Sequence, residues 1–572
     1  MDTCFAPLTR PASDRTWSKL VQLIALLVVA ACAAGCASLP PNNERTASTA
    51  FAQPDQTPLG QLATARRAQA GARSDSGFAL LGGVEIALTS RLALIQGATR
   101  SLDLQYYAIH ADASSEVLLQ RVREAARRGV RVRILLDDFN SVGEDAQVLR
   151  LAFEPNIELR LFNPLTGPRS SMLGRLLASL SDIRGMQKRM HNKLFLADNA
   201  WGITGGRNLG DRYFGSGDTQ NFVDLDVLAA GRIVRDMSAS FDRFWNDELA
   251  YPVERLMDKE DLDKMRKPQL SENATDPGKP RVTPTASVLA ATAITTVLPS
   301  VSVADVARAD RDALDLRTVP LVWAPSTLLV DQPSKVGPGD DEVDAEETVI
   351  DGLLGLMQQA QRDVLIISPY FVPGARMMAV YEQLRKRGVR LRVLTNSLAS
   401  NDAPAAHAGY ARHREAMLAM GAEMYEMHSD PQMSNLLGTG SGSRAGGSGG
   451  FGIGSTAGGP ENHARASLHS KAVVIDARLV VIGSMNLDLR SQIQNSEVAL
   501  VLRSTALSQQ ATRQIENTFA SGAYRVERRD GNLYWRAPEG ASFKDATSEP
   551  GASTKLKLMV KILGPLAPDE ML

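Results

Sequence analysis

The sequence predicts an α/β protein made of two similar halves, each built around a parallel or mixed sheet. Three observations predict this fold. A short motif occurs twice, a strand–helix–strand segment also occurs twice, and the chain of 572 residues is longer than a single domain usually is. Strands that alternate with helices favour parallel crossovers and a layered architecture.

The repeated motif reads MHNKLFLADNAWGITGGRN over residues 190–208 and LHSKAVVIDARLVVIGSMN over residues 468–486. Both copies fit H-x-K-x4-D-x6-G-[GS]-x-N without a gap, which is not plausibly chance. The matching residues are His191, Lys193, Asp198, Gly205, Gly206 and Asn208 in the first copy, and His469, Lys471, Asp476, Gly483, Ser484 and Asn486 in the second.

The strand–helix–strand repeat is centred on two glycines. Residues 101–109 are rich in β-formers and residues 116–128 have helical spacing, after which Gly129 precedes the apolar run 130–136. The same order recurs at residues 363–371, 377–387, Gly388 and 389–395. Because RRGVRVRILL and KRGVRLRVLT correspond directly, we interpret the body as a duplicated domain.

Composition and charge are those of a globular protein with large cores. The chain is 44% hydrophobic and 22% charged, with a formal net charge of −1. Its overall charge carries no signal for nucleic-acid binding, and the basic runs 121–133 and 385–392 fit solvated helix faces. We therefore expect no nucleic-acid partner.

The first 36 residues have the layout of a secretory signal. Basic residues precede an apolar run over residues 20–34, which is shorter than a membrane-spanning helix needs. The small residues before Cys36 resemble a bacterial lipoprotein cleavage box, in which Cys36 is lipidated. We expect an exported protein, anchored in a bacterial cell envelope as a lipoprotein, with residues 37–75 as a flexible tether. An uncleaved signal anchor is the alternative.

Three further segments lie outside the repeat. Residues 256–317 are predicted to be an insertion between the halves, and residues 430–462 a Gly/Ser-rich loop. The tail over residues 536–572 alternates Lys with apolar residues, which fits either a membrane-surface segment or an edge strand. The two halves then cover residues 76–255 and 318–535.

The motif residues suit chemistry on a phosphodiester. In H-x-K the two side chains lie on one face of an extended strand, and a hairpin at the Asp brings the Asn back beside them. Two copies surround one anionic group with the fixed charge of Lys and the donors of Asn. Two imidazoles supply a nucleophile and a general acid, so that neither a metal nor another cofactor is required.

A catalytic His needs an acceptor on its second ring nitrogen, because that acceptor holds the ring in one tautomer. The candidates are carboxylates that precede an apolar strand after each motif. They are Asp226, with Asp224 as its competitor, and Glu497. For each of them, a surface carboxylate without a catalytic role is the alternative.

These motifs resemble those of the phospholipase D superfamily over roughly residues 76–525. The segments GGRNLGDRYF, YFVPG and GSMNLDLRSQIQNSE are similar to its bacterial cardiolipin synthase branch, in particular the C-type enzymes. The resemblance implies two phospholipase D-like α/β halves with mixed sheets and one active site at their interface. It also implies transfer of a phosphatidyl group from one phospholipid to a His, and then to the hydroxyl of phosphatidylglycerol, which gives cardiolipin.

The resemblance implies His191 as nucleophile and His469 as acid/base, whereas the motifs alone also allow the reverse. It implies that Asp198 and Asp476 orient strands beneath the site. At Gly206 the first copy lacks the hydroxyl that Ser484 provides in the second. The catalytic candidates are His191, Lys193, Asp198, Asn208, Asp226, His469, Lys471, Asp476, Asn486 and Glu497; the phosphate-binding candidates are Lys193, Asn208, Lys471, Ser484 and Asn486.

The expected partners are a membrane and phospholipid substrates, namely phosphatidylglycerol with phosphatidylethanolamine as an alternative donor. Hydrolysis of phospholipids by the same site stays open, because no motif residue distinguishes water from an alcohol as acceptor. Nuclease activity is the less favoured form of this alternative. A catalytically idle scaffold protein is disfavoured, since both motifs are intact.

Overall fold

The computed structural model describes residues 39–43, 45–167, 175, 183–216, 220–257, 313–337, 348–430 and 465–563. Its strands form two nine-stranded mixed sheets and two small two-stranded sheets, with helices packed on them. The predicted α/β class with two similar halves is therefore confirmed. The predicted signal segment with Cys36, residues 258–312 of the predicted insertion and residues 431–462 of the predicted loop lie outside the described residues.

The first sheet is built mainly from the first half of the chain. Its strands and the neighbouring β7 are β1 (Ser76–Leu81), β2 (Ser101–Tyr106), β3 (Arg131–Asp137), β4 (Ile157–Phe162), β5 (Leu194–Ala197), β6 (Trp201–Gly205), β7 (Gln220–Val223), β8 (Asp226–Gly231), β9 (Ala250–Pro252) and β10 (Val322–Trp323). The order is β10-β1-β8-β6-β5-β2-β3-β4-β9. The neighbours β2, β3 and β4 run parallel, and the other pairings are antiparallel.

The second sheet repeats this topology. The strands of the second half are β11 (Ser326–Val330), β12 (Asp363–Ile367), β13 (Phe371–Val372), β14 (Arg390–Asn396), β15 (Glu423–Met427), β16 (Arg465–Leu468), β17 (Ala472–Ile475), β18 (Leu479–Gly483), β19 (Leu487–Asp488), β20 (Val498–Arg503), β21 (Ala523–Arg529) and β22 (Asn532–Arg536). The order is β11-β20-β18-β17-β12-β14-β15-β21-β22, with β12, β14 and β15 parallel. Across the sheets, the order β1-β8-β6-β5-β2-β3-β4-β9 therefore matches the order β11-β20-β18-β17-β12-β14-β15-β21 strand for strand.

Helices connect and cover these strands. In chain order they are α1 (Pro58–Gln69), α2 (Val84–Gly97), α3 (Ala113–Arg127), α4 (Ile183–Gln187), α5 (Arg232–Trp245), α6 (Val253–Leu256), α7 (Val349–Gln358), α8 (Ala375–Lys386), α9 (Pro404–Ala419), α10 (Leu489–Ile493), α11 (Thr505–Ser521) and α12 (Thr554–Leu563). Short 3₁₀ helices cover Pro54–Gln56, Gly143–Phe153, Asp211–Tyr213 and Pro333–Lys335.

Both predicted strand–helix–strand repeats are confirmed, and local chemistry explains their bounds. The Asp112 side chain accepts from the backbone N–H of Ser115 at 3.1 Å, which caps the start of α3. Gly129 and Gly388 follow α3 and α8 with φ of 93° and 78°, a conformation that glycine adopts most readily at a helix C-terminus.

The two halves share one apolar core. Leu196 and Val227 of the first half belong to the same buried cluster as Leu365 and Val474 of the second. One strand pairing, β7 with β16, and one isolated β-bridge, Met190 with Ser496, also cross the junction. Because this apolar surface is removed from water only when the halves are packed together, their relative orientation is part of the fold.

The tether predicted over residues 37–75 is wrong for its described part. Asn42 donates from Nδ2 to the carbonyl of Ala250 at 3.0 Å, and the backbone N–H of Ala50 donates to Asp242 at 2.8 Å. The chain then forms α1, which packs against the first sheet. A Pro-, Asn- and Thr-rich composition favours a tether, but it does not reveal specific polar partners elsewhere in the fold.

The boundary predicted at residue 318 is displaced. Leu316 and Val319 are buried in the core of the first half, and β10 pairs with β1, so the second half begins at β11. In the tail, residues Thr554–Leu563 form the helix α12, so the prediction of an edge strand is wrong there. Within the described residues, no helix combines the length and the apolar character needed to cross a bilayer.

Candidate active site

Each motif forms a β-hairpin, as predicted. In the first, β5 and β6 flank a turn in which Asp198 and Asn199 have φ of 52° and 53°; in the second, β17 and β18 flank Asp476 and Ala477, with φ of 53° and 52°. Two consecutive residues of positive φ give the tight turn whose twist matches paired strands. The hairpins return Asn208 and Asn486 toward the histidines that begin each motif.

The motif aspartates lie at the far end of these hairpins. Asp198 accepts hydrogen bonds from the backbone N–H groups of residues 99–101, and Asp476 accepts from those of residues 361–363. Each Asp follows its Lys by five residues of extended chain, which is about 16 Å. These aspartates therefore fasten the hairpin to the start of β2 or β12, and including them among the catalytic candidates was wrong.

His191 and His469 are each held by the opposite half of the chain. The backbone N–H of His191 donates to the carbonyl of Ser496 at 2.9 Å, and that of His469 donates to the carbonyl of Val223 at 2.8 Å. The two side chains remain 11% and 7% exposed, which leaves a narrow opening to each ring. Both motifs therefore meet at one junction, and the site lies between the halves.

The carboxylate partners are exchanged between the halves. His191 Nδ1 lies 3.1 Å and 3.0 Å from the two carboxylate oxygens of Glu497, and His469 Nδ1 lies 2.7 Å from Oδ2 of Asp224. Glu497 and Asp224 are buried. A carboxylate on Nδ1 keeps the proton there and leaves the lone pair on Nε2. Nε2 of His469 lies 3.2 Å from Nζ of Lys471.

Asp224, and not Asp226, is the acceptor for His469. Asp226 instead lies 2.9 Å from Arg91 and 3.4 Å from Arg207, in buried ion pairs beneath the site. The difference arises because β7 ends at Val223 and β8 begins at Asp226, so Asp224 lies in the connection that passes His469. The prediction of Glu497 as an acceptor agrees with this geometry, although its partner is the histidine of the other motif.

Gly206 and Ser484 differ because the two carboxylates differ in length. A Cβ at position 206 would lie 2.2 Å from Oδ1 of Asp224, so only glycine leaves room for that carboxylate. In the second half, the Ser484 hydroxyl donates to the longer Glu497, and Ser491 Oγ donates to it at 2.9 Å. Ser484 thus orients Glu497, and its assignment to phosphate binding was wrong.

Burial makes both imidazoles weak bases. It lowers the pKa of His191 to about 4, although Glu497 opposes the shift. Burial, followed by the charges of Lys471, Lys193 and His191, lowers the pKa of His469 well below its ordinary value. Near neutral pH both rings are therefore neutral in the free protein, which suits the nucleophile directly.

Burial also lowers the pKa of Lys193, to about 7, against the pull of Glu497. It lowers the pKa of Lys471 in the same way, with Asp224 and Glu497 opposing. The ammonium groups donate to the backbone carbonyls of His191 at 2.9 Å and His469 at 2.7 Å, so they lie beside the rings. Burial thus weakens the fixed charge that the motif pattern predicts for Lys193, and a bound anion would favour its protonated form.

The motif asparagines lie in the same cluster, with different partners. Asn208 donates from Nδ2 to the Tyr213 hydroxyl at 2.9 Å. Asn486 is 5% exposed, and no group in the described part of the chain hydrogen-bonds its Oδ1. Of the two asparagines, Asn486 therefore has the side chain with fewer hydrogen bonds to the described part of the protein.

Aromatic rings that the motif pattern did not identify surround the histidines. Tyr107 makes an edge contact with His191 at 5.2 Å, and its ring lies 5.8 Å from Lys193 Nζ. Tyr213 and Phe222 contact His469 at 5.3 Å and 4.8 Å. These rings exclude water and fix ring orientation. Only the position of Tyr213 shortly after the first motif could have indicated its role.

The site is a set of hydrogen-bond donors and imidazoles, without an evident metal centre. In the ranges that the structure describes, no group of three or more His, Cys, Asp and Glu side chains is placed to hold a metal ion. The arrangement can bind an anion between two lysines, attack it with one imidazole and exchange a proton with the other.

Comparison with known proteins shows which family the chain resembles over most of its length. The family described as "Cardiolipin synthase, PLD-like domain" matches residues 92–245 and 353–519, more than half of the chain. Cardiolipin synthase C of Escherichia coli is 32% identical over 83% of this chain and 92% of that protein. An uncharacterized protein of Helicobacter pylori is 28% identical over 92% of this chain and 95% of its own length.

A solved structure supports the fold independently of sequence identity. The crystal structure of phosphatidylserine synthase from Haemophilus influenzae Rd KW20 superposes with a TM-score of 0.51 at 13% identity, and covers 89% of this chain and 100% of that one. From the family match and the 32% identity over most of both chains, we conclude that the chain belongs to the cardiolipin synthase family with phospholipase D-like domains.

Proposed function

We propose that this protein is a phosphatidyltransferase that makes cardiolipin by transesterification between phospholipids, through a phosphohistidine. The exchanged pairs His191–Glu497 and His469–Asp224 are the observation that carries the proposal. They present two oriented imidazoles to one buried cluster of donors, which is what double displacement at phosphorus needs. The family and its similarity to cardiolipin synthase C support the substrate class.

In the first step, Nε2 of His191 attacks the phosphorus of a phosphatidylglycerol. A P–N bond forms while the bond between phosphorus and the head-group oxygen breaks. Protonated His469 gives its proton to that oxygen, and glycerol leaves. Burial is the largest cause of the lowered pKa of His469, and the charges of Lys471 and Lys193 come next; a bound phosphodiester anion opposes those charges and favours the acid form.

In the second step, neutral His469 accepts the proton from a hydroxyl of another phosphatidylglycerol. The resulting oxygen nucleophile attacks phosphorus, the P–N bond breaks and cardiolipin is released. Both histidines return to their initial states. With phosphatidylethanolamine as donor, the same steps release ethanolamine instead of glycerol.

The other polar groups stabilise charge on the phosphoryl oxygens in this proposal. Lys193 and Lys471 are buried beside the two rings and supply ammonium donors once the anion is bound. The side-chain N–H groups of Asn486, the second motif asparagine, supply a further donor. Asn208 acts more indirectly, since it orients Tyr213 at the edge of His469.

Lipid substrates require access to a membrane, and the N-terminal sequence supports such a location. The signal-like segment ending at Cys36 favours export and lipid anchoring at the surface of a bacterial cell envelope. Labelling cells with a radioactive fatty acid tests this directly. We expect label on the wild-type protein and none on Cys36→Ser.

Product analysis with purified protein tests the proposed reaction. The full chain is incubated with labelled phosphatidylglycerol, with and without phosphatidylethanolamine, beside His191→Gln as the inactive control. Labelled cardiolipin, with release of glycerol or ethanolamine, supports transfer. Phosphatidic acid as the only labelled product would instead establish hydrolysis and overturn the proposed transfer.

A further inference from the structure

The helix α12 has a second apolar face that is exposed within the part of the chain that the structure describes. Leu556 and Val560, one turn apart, are half-buried and mark the side that packs toward the protein, where α9 is its neighbour. Leu558, Met559 and Ile562 lie on a different side and are 58%, 37% and 54% exposed. Among the described residues only four large apolar side chains are this exposed, and these are three of them.

The charge of this helix has one sign. It carries Lys555, Lys557 and Lys561 and has no acidic residue. Lys555 and Lys561 are exposed, whereas Lys557 donates to Ser548 at 3.2 Å. A helix with exposed apolar side chains and lysines beside them fits the interface of an anionic bilayer, where the apolar groups enter and the ammonium groups meet head groups.

The helix is fastened at the edge of the fold that carries the active site. Just before it, Glu549 forms an ion pair with Arg414 of α9 at 2.7 Å. A Cβ at Gly551 would lie 3.3 Å from that of Ala399, in the loop that follows β14. The last residue of β14, Asn396, exchanges hydrogen bonds with Leu468, the neighbour of His469.

The fourth exposed apolar side chain lies beside the motif as well. Ile493 is 45% exposed and ends α10, a helix that begins shortly after Asn486. In the described part of the chain, the exposed large apolar side chains thus lie on α10, which follows the second motif, and on α12, which is connected to that motif through the loop after β14. The face of α12 is far smaller than the roughly 800 Å² per partner of a stable protein interface, which disfavours a second copy as its occupant.

We propose that the outer face of α12, defined by Leu558, Met559 and Ile562 with Lys555 and Lys561, docks on the surface of an anionic phospholipid bilayer. Docking there turns the active-site edge toward the lipids. This inference rests on the proposed function, since a phospholipid substrate is what makes that orientation useful. It assigns α12 a role separate from anchoring by the N-terminus.

A fluorescent probe on the face tests docking directly. In the full chain with Cys4, Cys32 and Cys36 replaced by Ser, Met559→Cys is labelled with an environment-sensitive nitrobenzoxadiazole dye. The matched control carries the dye at Ala65→Cys, an exposed position of α1. We expect vesicles of phosphatidylglycerol and phosphatidylethanolamine to raise and blue-shift emission at position 559 only, and phosphatidylcholine vesicles to do so much less.

Two results would overturn the proposal. One is emission at position 559 that does not respond to the anionic vesicles. The other is emission that is already blue-shifted without vesicles, because then another part of the chain or a second copy covers the face. Emission that rises equally at positions 559 and 65 would show membrane contact that is not specific to α12, which also contradicts the proposal.

A second experiment separates docking from chemistry. The double variant Leu558→Gln/Ile562→Gln is compared with wild type on vesicles and on dissolved short-chain phosphatidylglycerol. We expect vesicle turnover to fall roughly tenfold, with short-chain turnover and the thermal midpoint unchanged. Equal turnover on vesicles would refute docking, whereas absence of short-chain transfer in the wild type would refute the proposed function whatever the probe reports.

Discussion

The carboxylate of Glu497 lies 3.0 Å from Nδ1 of His191, although 306 residues separate the two in the chain. Asp224 holds His469 in the same way across 245 residues, at 2.7 Å. Each half therefore supplies the group that orients the histidine of the other. A half expressed without the other would keep its H-x-K sequence, but it would lose the carboxylate that orients its histidine.

Replacing Glu497 by Gln should lower kcat by about 10²–10⁴-fold. The amide offers Nδ1 a donor in place of a charged acceptor, which favours the tautomer with its proton on Nε2, so the attacking lone pair is lost. The measurement is kcat on short-chain phosphatidylglycerol. Glu516→Gln, which removes a half-exposed carboxylate on α11, is the control and should retain full activity. Retention of near wild-type kcat by Glu497→Gln would refute the orienting role.

Asp224→Asn and Asp226→Asn should affect different properties of the protein, kcat in the first case and the free energy of unfolding in the second. Asp224→Asn should lower kcat with little loss of stability, because the carboxylate serves His469. Asp226→Asn leaves the buried Arg91 and Arg207 without their shared counter-charge, which should cost about 3 kcal/mol of unfolding free energy. Denaturant unfolding and kcat per folded molecule separate the two effects. A larger kcat loss in Asp226→Asn than in Asp224→Asn would contradict the assignment.

Binding of a phosphodiester should take up protons from solution near pH 8. In the free protein burial lowers the pKa of Lys193 to about 7, so the group is mostly neutral at that pH. A bound anion raises this pKa toward its ordinary value, so protonation accompanies binding and affinity falls as pH rises above about 7. Calorimetry with diethyl phosphate, in buffers of different ionisation enthalpy, measures the uptake.

The matched control for proton uptake is Lys193→Arg, since a guanidinium stays charged at every pH used. Uptake attributable to position 193 should disappear in that variant. Identical proton uptake in the variant and wild type would assign the effect elsewhere, to Lys471 or the imidazoles.

Gly206→Ser should inactivate the protein without unfolding it. The new Cβ would lie 2.2 Å from Asp224 Oδ1, and the carboxylate must move away from His469 to accommodate it. We expect kcat to fall by about 10²-fold or more. Gly355→Ala is the control, because nothing lies within 4 Å of its Cβ position and alanine favours the helix there. Full activity in Gly206→Ser would show that the first motif tolerates the serine found in the second.

The duplicated pattern was sufficient to predict the two halves and both hairpins, because strand alternation and turn chemistry are local properties. That both motifs meet in one site was implied by the family resemblance and not by the pattern itself. The exchange of Glu497 and Asp224 could not be predicted in this way. It depends on how one half packs on the other, and spacing along the chain carries no information about that.

The choice between Asp224 and Asp226 shows the same limit at short range. Both precede apolar residues, and only the end of β7 at Val223 decides which carboxylate passes His469. The prediction of a tether over residues 37–75 was wrong for a related reason. Residues near Asn42 and Ala50 are polar, but they bind groups of the first half that are distant in sequence.

The most direct test of the central claim is to locate the covalent intermediate. Wild-type protein is mixed with phosphatidylglycerol, quenched in alkali within one turnover and mapped by mass spectrometry. The account predicts a phosphatidyl group on His191 that forms much more slowly in His469→Ala. An adduct on His469 instead, or no adduct on either histidine while product forms, would contradict it.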